Sequence, residues 1–220
     1  SDIAACAGEP VCALVTAALP EHYSDTTASA LFDAVHAAAE TLGCPVVGGD
    51  IAKAPPDTGA LHLSVTVIGR AHASRGAVLR SGAQVGDVVF VSGALGGSFD
   101  GRTTDGGVPH HLGFKPRVEL ASVLADTLAG DLHAMMDISD GLGVDAARLA
   151  TASGVAIDID AAALPVADAI AGAPEAIDRA VSDGEDYELL FTVAQAAEHV
   201  AQRESCTRIG RVLNGAPGAD

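Results

Sequence analysis

The stretch LHLSVTVIG at residues 61–69 alternates without a break: Leu61, Leu63, Val65 and Val67 face one way, and His62, Ser64 and Thr66 the other. Side chains on a strand change face with every residue, so this pattern predicts a half-buried β-strand and fixes its register. A chain committed to such a strand needs pairing partners nearby. VCALVTAAL at 11–19 reads as a short buried strand, and PVVGGD at 45–50 as a strand running into a glycine turn that ends in an acid. Between them, apolar residues at 28, 31, 32, 35, 38, 39 and 42 form one helical stripe. Thr26 or Thr27 can cap its start, Gly43 follows its end, and KAPPDTG reads as a turn.

Residues 71–86 are polar and glycine-bearing, which predicts a domain boundary and divides the chain into 1–72 and 73–220. Beyond it, DVVFVS, HAMMDI, VAIDID, ELLFTV and TRIGRVL read as strands. Helices are expected at 117–129, at LGVDAARLATAS, and around 165–172 and 194–203. In LGVDAARLATAS, Leu142, Ala146, Leu149 and Ala150 share a face. The glycine-rich GALGGSFDGRTTDGG reads as a loop. Strands and helices mix without a strict βαβ rhythm, so the fold class is α/β or α+β, in two parts.

Composition narrows the function. Twenty-nine acids against 12 bases give a net charge of −17, a field that repels nucleic acid and anionic membranes. Aromatic residues are 3% of the chain and tryptophan is absent, which removes a base-stacking platform. Cys6, Cys12, Cys44 and Cys206 lie far apart with no C-x-x-C pair, so reduced thiols in a cytoplasmic setting fit best. No apolar run has the length of a membrane span, and no basic-then-apolar signal segment is visible.

Neither Lys53 nor Lys115 sits in a phosphate-binding G-x-x-x-x-G-K-[ST] loop, and kinase, G-x-S-x-G and H-E-x-x-H signatures are missing. What remains is acid. MMDISDGLGVD at 135–145 places Asp137, Asp140 and Asp145 within nine positions, with Ser139 between the first two. Asp50 follows two glycines, and Asp2 opens SDIAA. Each has an ordinary reading as a helix cap or turn residue. Together they also suit a Mg²⁺ site for a phosphate-bearing substrate, because magnesium takes carboxylates plus phosphate oxygens. Two such carboxylates ~4 Å apart repel by roughly 4 kcal/mol at an effective dielectric of 20, which a cation would relieve. His110 and His111 in VPHHLGF read as a loop pair, with nothing else at ligand spacing.

Five segments occur in one order: SDIAACAGEP, GCPVVGGD, LRSGAQVGDVVFVSGALGGS, MMDISDGL followed by ASGVAIDI, and SDGEDYELLFTV. This set resembles the thiamine-monophosphate kinase family, in the superfamily that includes aminoimidazole-ribonucleotide synthetase and selenophosphate synthetase. The resemblance implies that superfamily's two-domain architecture, with 1–72 the remainder of an N-terminal, barrel-forming domain whose first part precedes SDIAA. It implies direct transfer of the γ-phosphoryl of ATP onto thiamine monophosphate, with Mg²⁺, in a homodimer paired through that domain. Asp2, Asp50, Asp137 and Asp140 would be magnesium ligands. Gly49, Arg80 and Ser139 would contact ATP, and Glu185, with Asp186, would face the thiamine phosphate. No residue would act as a covalent catalyst, since phosphoryl transfer asks mainly for positioning and charge neutralisation.

Three features depart from the family pattern: Ile51 stands where a threonine is usual, Asp183-Gly184 replaces a glycine pair, and the chain stops shortly after RIGRV. A catalytically silent nucleotide- or metal-binding homologue, or a sister enzyme with another phosphate acceptor, is the alternative. Tyr187 reads as packing rather than as a stacking surface for substrate.

Overall fold

The computed structural model describes residues 1–55, 59–99, 101–104, 106–215 and 218–219. Residues Glu9–Arg70 form one unit, and Ser1–Gly8 with Ala71–Asp220 form the other.

The smaller unit is a three-stranded sheet, β1 (Glu9–Leu19), β2 (Val46–Lys53) and β3 (His62–Arg70), with β1 central. β2 runs parallel to β1, and β3 antiparallel. The alternating segment is β3, as its pattern predicts, but it is not half-buried: all nine of its residues are exposed. Its partners across the register, Val15 opposite Val65 and Ala17 opposite Leu63, are buried. β1 has a neighbour on each side, whereas β3 is an edge strand with one. The helix (Asp25–Thr41) begins earlier than its apolar stripe suggests, and Ser24 rather than a threonine caps it, accepting from the Thr27 amide at 3.1 Å. That helix buries none of its residues. The expected glycine turn before Asp50 is instead continuous strand, pairing Gly48, Gly49 and Asp50 with Leu14, Val15 and Thr16. A Cβ on Gly49 would lie 1.7 Å from the Val15 carbonyl oxygen, so the glycines serve close strand approach rather than a turn. The KAPPDTG turn lies partly outside the described residues.

The larger unit starts with a short helix, α1 (Asp2–Ala5); the Asp25–Thr41 helix is α2. Its sheet is ordered β5 (Leu132–Asp137), β7 (Leu189–Val193), β4 (Val88–Val91), β8 (Thr207–Leu213), β6 (Ala156–Ile159), β9 (Gly218–Ala219). Every pairing is antiparallel except β6 with β9. Residues of β4 alternate between two cores. Val89 and Val91 join Leu142, Ala146 and Leu149 of α5 (Leu142–Ser153). Val88 and Phe90 join Leu124, Ala125 and Leu128 of α4 (Val118–Leu128). Phe90 stacks on Phe191 directly across the register, with ring centroids 5.6 Å apart. Burial on both faces explains why these strands read as continuous apolar runs.

α3 (His110–Gly113) and α7 (Glu198–Arg203) complete the helices with α6 (Ala176–Ser182). The helix expected around 165–172 does not form. Leu95 donates to the Pro165 carbonyl at 2.8 Å and accepts from the Ala167 amide at 2.9 Å, which holds residues 165–167 extended against the glycine-rich segment, and tight turns follow over 168–172. The helix starts only after Pro174, as α6.

Candidate active site

The acidic motif follows β5, and the GEDYE motif precedes β7. Beyond the ends of the two strands the ladder continues. Ile138 donates to the Glu188 carbonyl, and Tyr187 and Glu185 donate to the carbonyls of Ile138 and Ser139, each at 2.8 Å. Two segments 40-odd residues apart are thus zipped together. Glycine is required at both sides of the seam. A Cβ on Gly184 would stand 2.6 Å from the Ser139 carbonyl oxygen, and one on Gly141, at φ +110°, 2.9 Å from that of Ser182.

The turn itself is held by Asp145, which is fully buried on the first turn of α5. One carboxylate oxygen accepts from the amides of Ser139 at 2.9 Å and Asp140 at 3.0 Å; the other accepts from Arg148 at 2.8 Å. Arg148 also pairs with Asp140, whose side chain is largely exposed. Of the three acids in the motif, Asp145 therefore shapes the loop and Asp140 faces an arginine.

Asp137 is different. It is 9% exposed, and among the described residues no hydrogen bond or ion pair reaches its carboxylate. It lies with Asp2 of α1 near the Cys6 thiol: burial, then Asp2, then Asp137 push that thiol's pKa up, while Arg80 opposes them. The Tyr187 hydroxyl is pushed up too, first by burial, then by the neighbouring Glu185 carboxylate, and by Asp137 and Asp2. Asp2, Asp137, Arg80, Glu185 and Tyr187 are thus brought to one region. The Tyr187 ring packs on Phe114, centroids 3.9 Å apart.

GEDYE alternates in role. Glu185 and Tyr187 have left-handed backbones, φ +64° and +52°, which non-glycine residues seldom adopt. The residues between and after them point inward. Asp186, 1% exposed, accepts from Gly96 and Ser98 at 3.0 Å and from Arg102 at 2.8 Å. Burial still pushes its carboxyl above the usual range, against those donors. Glu188 takes a two-pronged bond from Arg117, at 2.8 and 2.6 Å, and a third from the Ser92 hydroxyl at 2.6 Å. His110 and His111 donate to the carbonyls of Asp186 and Ser98, so the histidine pair pins loops.

Arg80 and Arg148 line an open hollow of about 680 Å³ with Thr151, floored by Val144, Ala147 and Ala152. Gly49 and Asp50 stand on β2 of the smaller unit, beside a hollow lined by Phe32, His36 and Ile51. Among the described residues no three His, Cys, Asp or Glu side chains stand close enough to share a metal ion.

Known proteins place this geometry. Residues 1–71 match the N-terminal domain, and 84–218 the C-terminal domain, of AIR synthase related proteins. Thiamine-monophosphate kinase of Aquifex aeolicus is 34% identical over 232 residues, covering 98% of this chain and 72% of the relative. The chain belongs to the thiamine-monophosphate kinase family. The Rhodopirellula baltica member is 37% identical over 97% of this chain, which spans 65% of that relative's length. Among solved structures, AaThiL complexed with AMPPCP and TMP superposes with TM-score 0.82 at 32% identity, covering 99% of this chain and 72% of its own. The Stenotrophomonas maltophilia thiamine-monophosphate kinase gives 0.81 at 31%, covering 100% and 74%. A hydrogenase maturation protein, HypE in complex with ATP, shares the fold at 17% identity and TM-score 0.79.

Within this thiamine-monophosphate kinase framework, the motifs explain less than the structure adds. Asp145, Arg148, Arg102 and Arg117 carry the local electrostatics, and none of the three arginines was legible as a site residue. Asp145 was visible as a third acid in the motif. The partners of Arg102 and Arg117 lie 84 and 71 residues away, and nothing local marks them.

Proposed function

We propose that this chain phosphorylates thiamine monophosphate with ATP: its relatives are named thiamine-monophosphate kinase, and one solved relative is complexed with AMPPCP and TMP. The Asp137 carboxylate is the observation that carries the reading. The residue is mostly buried, yet no protein donor or counter-charge among the described residues takes its carboxylate, which leaves the oxygens open to a hard divalent cation with oxygen ligands. Asp137 and Asp2, oxygen donors of the kind Mg²⁺ takes, would hold it, with Asp140 the further ligand that the motif suggests. When bound, Mg²⁺ neutralises phosphate charge and orients the transferring group.

The protein's own side chains would do the rest. Arg80 and the Ser139 hydroxyl bind ATP phosphates. Glu185, whose amide donates to the Ser139 carbonyl, orients the acceptor. A phosphate oxygen of thiamine monophosphate attacks the γ-phosphorus, the bond to the β–γ bridging oxygen breaks, and ADP leaves. Asp186 serves from behind, holding the glycine-rich loop at Gly96 and Ser98 beside the acceptor residues.

A homodimer through the smaller unit is part of the reading. Val47, Ile51, Leu63, Val65, Val67 and Ile68 are between 41% and 62% exposed, an apolar area that a second copy would cover. Light scattering after size exclusion, over a range of concentrations, tests it; a monomer throughout rules it out.

The activity test is this chain with ATP, Mg²⁺ and thiamine monophosphate, with thiamine diphosphate read by chromatography. Product that is lost in Asp137→Asn is expected. Product formed equally well by that variant would overturn the assignment of Asp137.

A further inference from the structure

We infer that Arg148 is a positioning residue that changes partners: it holds Asp140 while the cation site is empty and turns to nucleotide phosphate once Asp140 takes the cation. This rests on the kinase reading above. Arg148 binds both Asp140 and Asp145 through the same nitrogen, Nη1. Among the described residues its Nε and Nη2 donors have no hydrogen-bond partner. More than half of the guanidinium fork is therefore unused, and it lines the hollow that Arg80 shares. A planar fork with parallel N–H groups matches two phosphate oxygens.

The two pairs of Arg148 are unequal. Asp140 is 55% exposed and Asp145 fully buried. Water competes for the first pair, so it opens easily. The second remains, because Asp145 is itself fixed by the Ser139 and Asp140 amides. Losing Asp140 to a cation would thus free one more donor of Arg148 without letting the side chain wander. The same loop that delivers a carboxylate to the metal would release a guanidinium to the phosphate that the metal accompanies.

The two ligands should respond in opposite directions when Arg148 is removed. Mn²⁺ serves as the probe for the free chain, read by the loss of its free spin-resonance signal, and Mg²⁺ with AMPPCP is followed by calorimetry. In Arg148→Met, Asp140 no longer has a competitor, and Mn²⁺ should bind roughly threefold tighter without nucleotide. AMPPCP should bind about tenfold more weakly, for want of a charged donor pair. Arg148→Lys keeps a charge beside Asp145 and guards against a folding defect; it should recover part of the AMPPCP affinity. A merely structural role would weaken both ligands together, and that result overturns the inference, as does unchanged Mn²⁺ binding. If the parent chain binds Mg-AMPPCP and Arg148→Met binds it as tightly, the partner change is wrong and the kinase reading stands. If no form binds either ligand, both fall.

Discussion

Replacing Asp145 by alanine should unfold more than a surface acid ever could. The carboxylate is fully buried and accepts two backbone amides, from Ser139 at 2.9 Å and Asp140 at 3.0 Å. Alanine leaves both donors without a partner inside the turn. A hydrogen bond to a charged group contributes about 1.5–3 kcal/mol, and shared partners make the two less than additive, so the loss should be roughly 3 kcal/mol. For a unit of this size that corresponds to a fall in midpoint of about 6–12 °C. Thermal unfolding followed by circular dichroism measures it, with Asp140→Ala as comparison. Asp140 is 55% exposed, and its removal should leave the midpoint unmoved. A drop of less than about 2 °C for Asp145→Ala would refute the claim that this residue builds the turn.

Asp137→Asn removes a carboxylate that no protein group among the described residues holds, so the midpoint should stay unchanged while Mn²⁺ affinity falls about tenfold; a destabilised variant would mean that the carboxylate has a structural partner. Gly184→Ala pushes a methyl to within 2.6 Å of the Ser139 carbonyl oxygen, and chemical denaturation should show a loss of about 2–3 kcal/mol. Burial lifts the Cys206 thiol from 9.0 to about 12, so the folded chain keeps a proton that the unfolded chain gives up. Stability should therefore fall as pH rises between those values, by up to about 1.4 kcal/mol per unit, and Cys206→Val should lack that component.

Local patterns carried the strands and α5 well. Alternation at 61–69 and the apolar runs at β5 and β7 were sufficient, because each reports a backbone period within a few residues. Burial was less legible. Val65 has the same pattern as a core residue, but whether anything covers it depends on the rest of the fold. PVVGGD misled for a related reason: glycine marks a turn or a close strand contact equally, and only Val15 across the ladder distinguishes the two. The acids of 135–145 stood out as a group, yet their division of labour did not. Which one is buried on amides, which meets Arg148 and which has no partner is fixed by how α5 folds back over the loop. Arg102 and Arg117 find their carboxylates through contacts far along the chain, and no spacing encodes that.

The left-handed backbones at Glu185 and Tyr187 set the protein's interests against each other. Glycine adopts such angles freely, and at both positions it would relieve strain of order 1–3 kcal/mol. A selection for heat resistance alone should therefore drift toward glycine there. The chain carries instead a carboxylate and a phenol, and it anchors Asp186 and Glu188 in buried ion pairs on either side of the second strained residue. Libraries sorted for thermal tolerance and libraries sorted for turnover should part company at 185 and 187 before anywhere else in this loop.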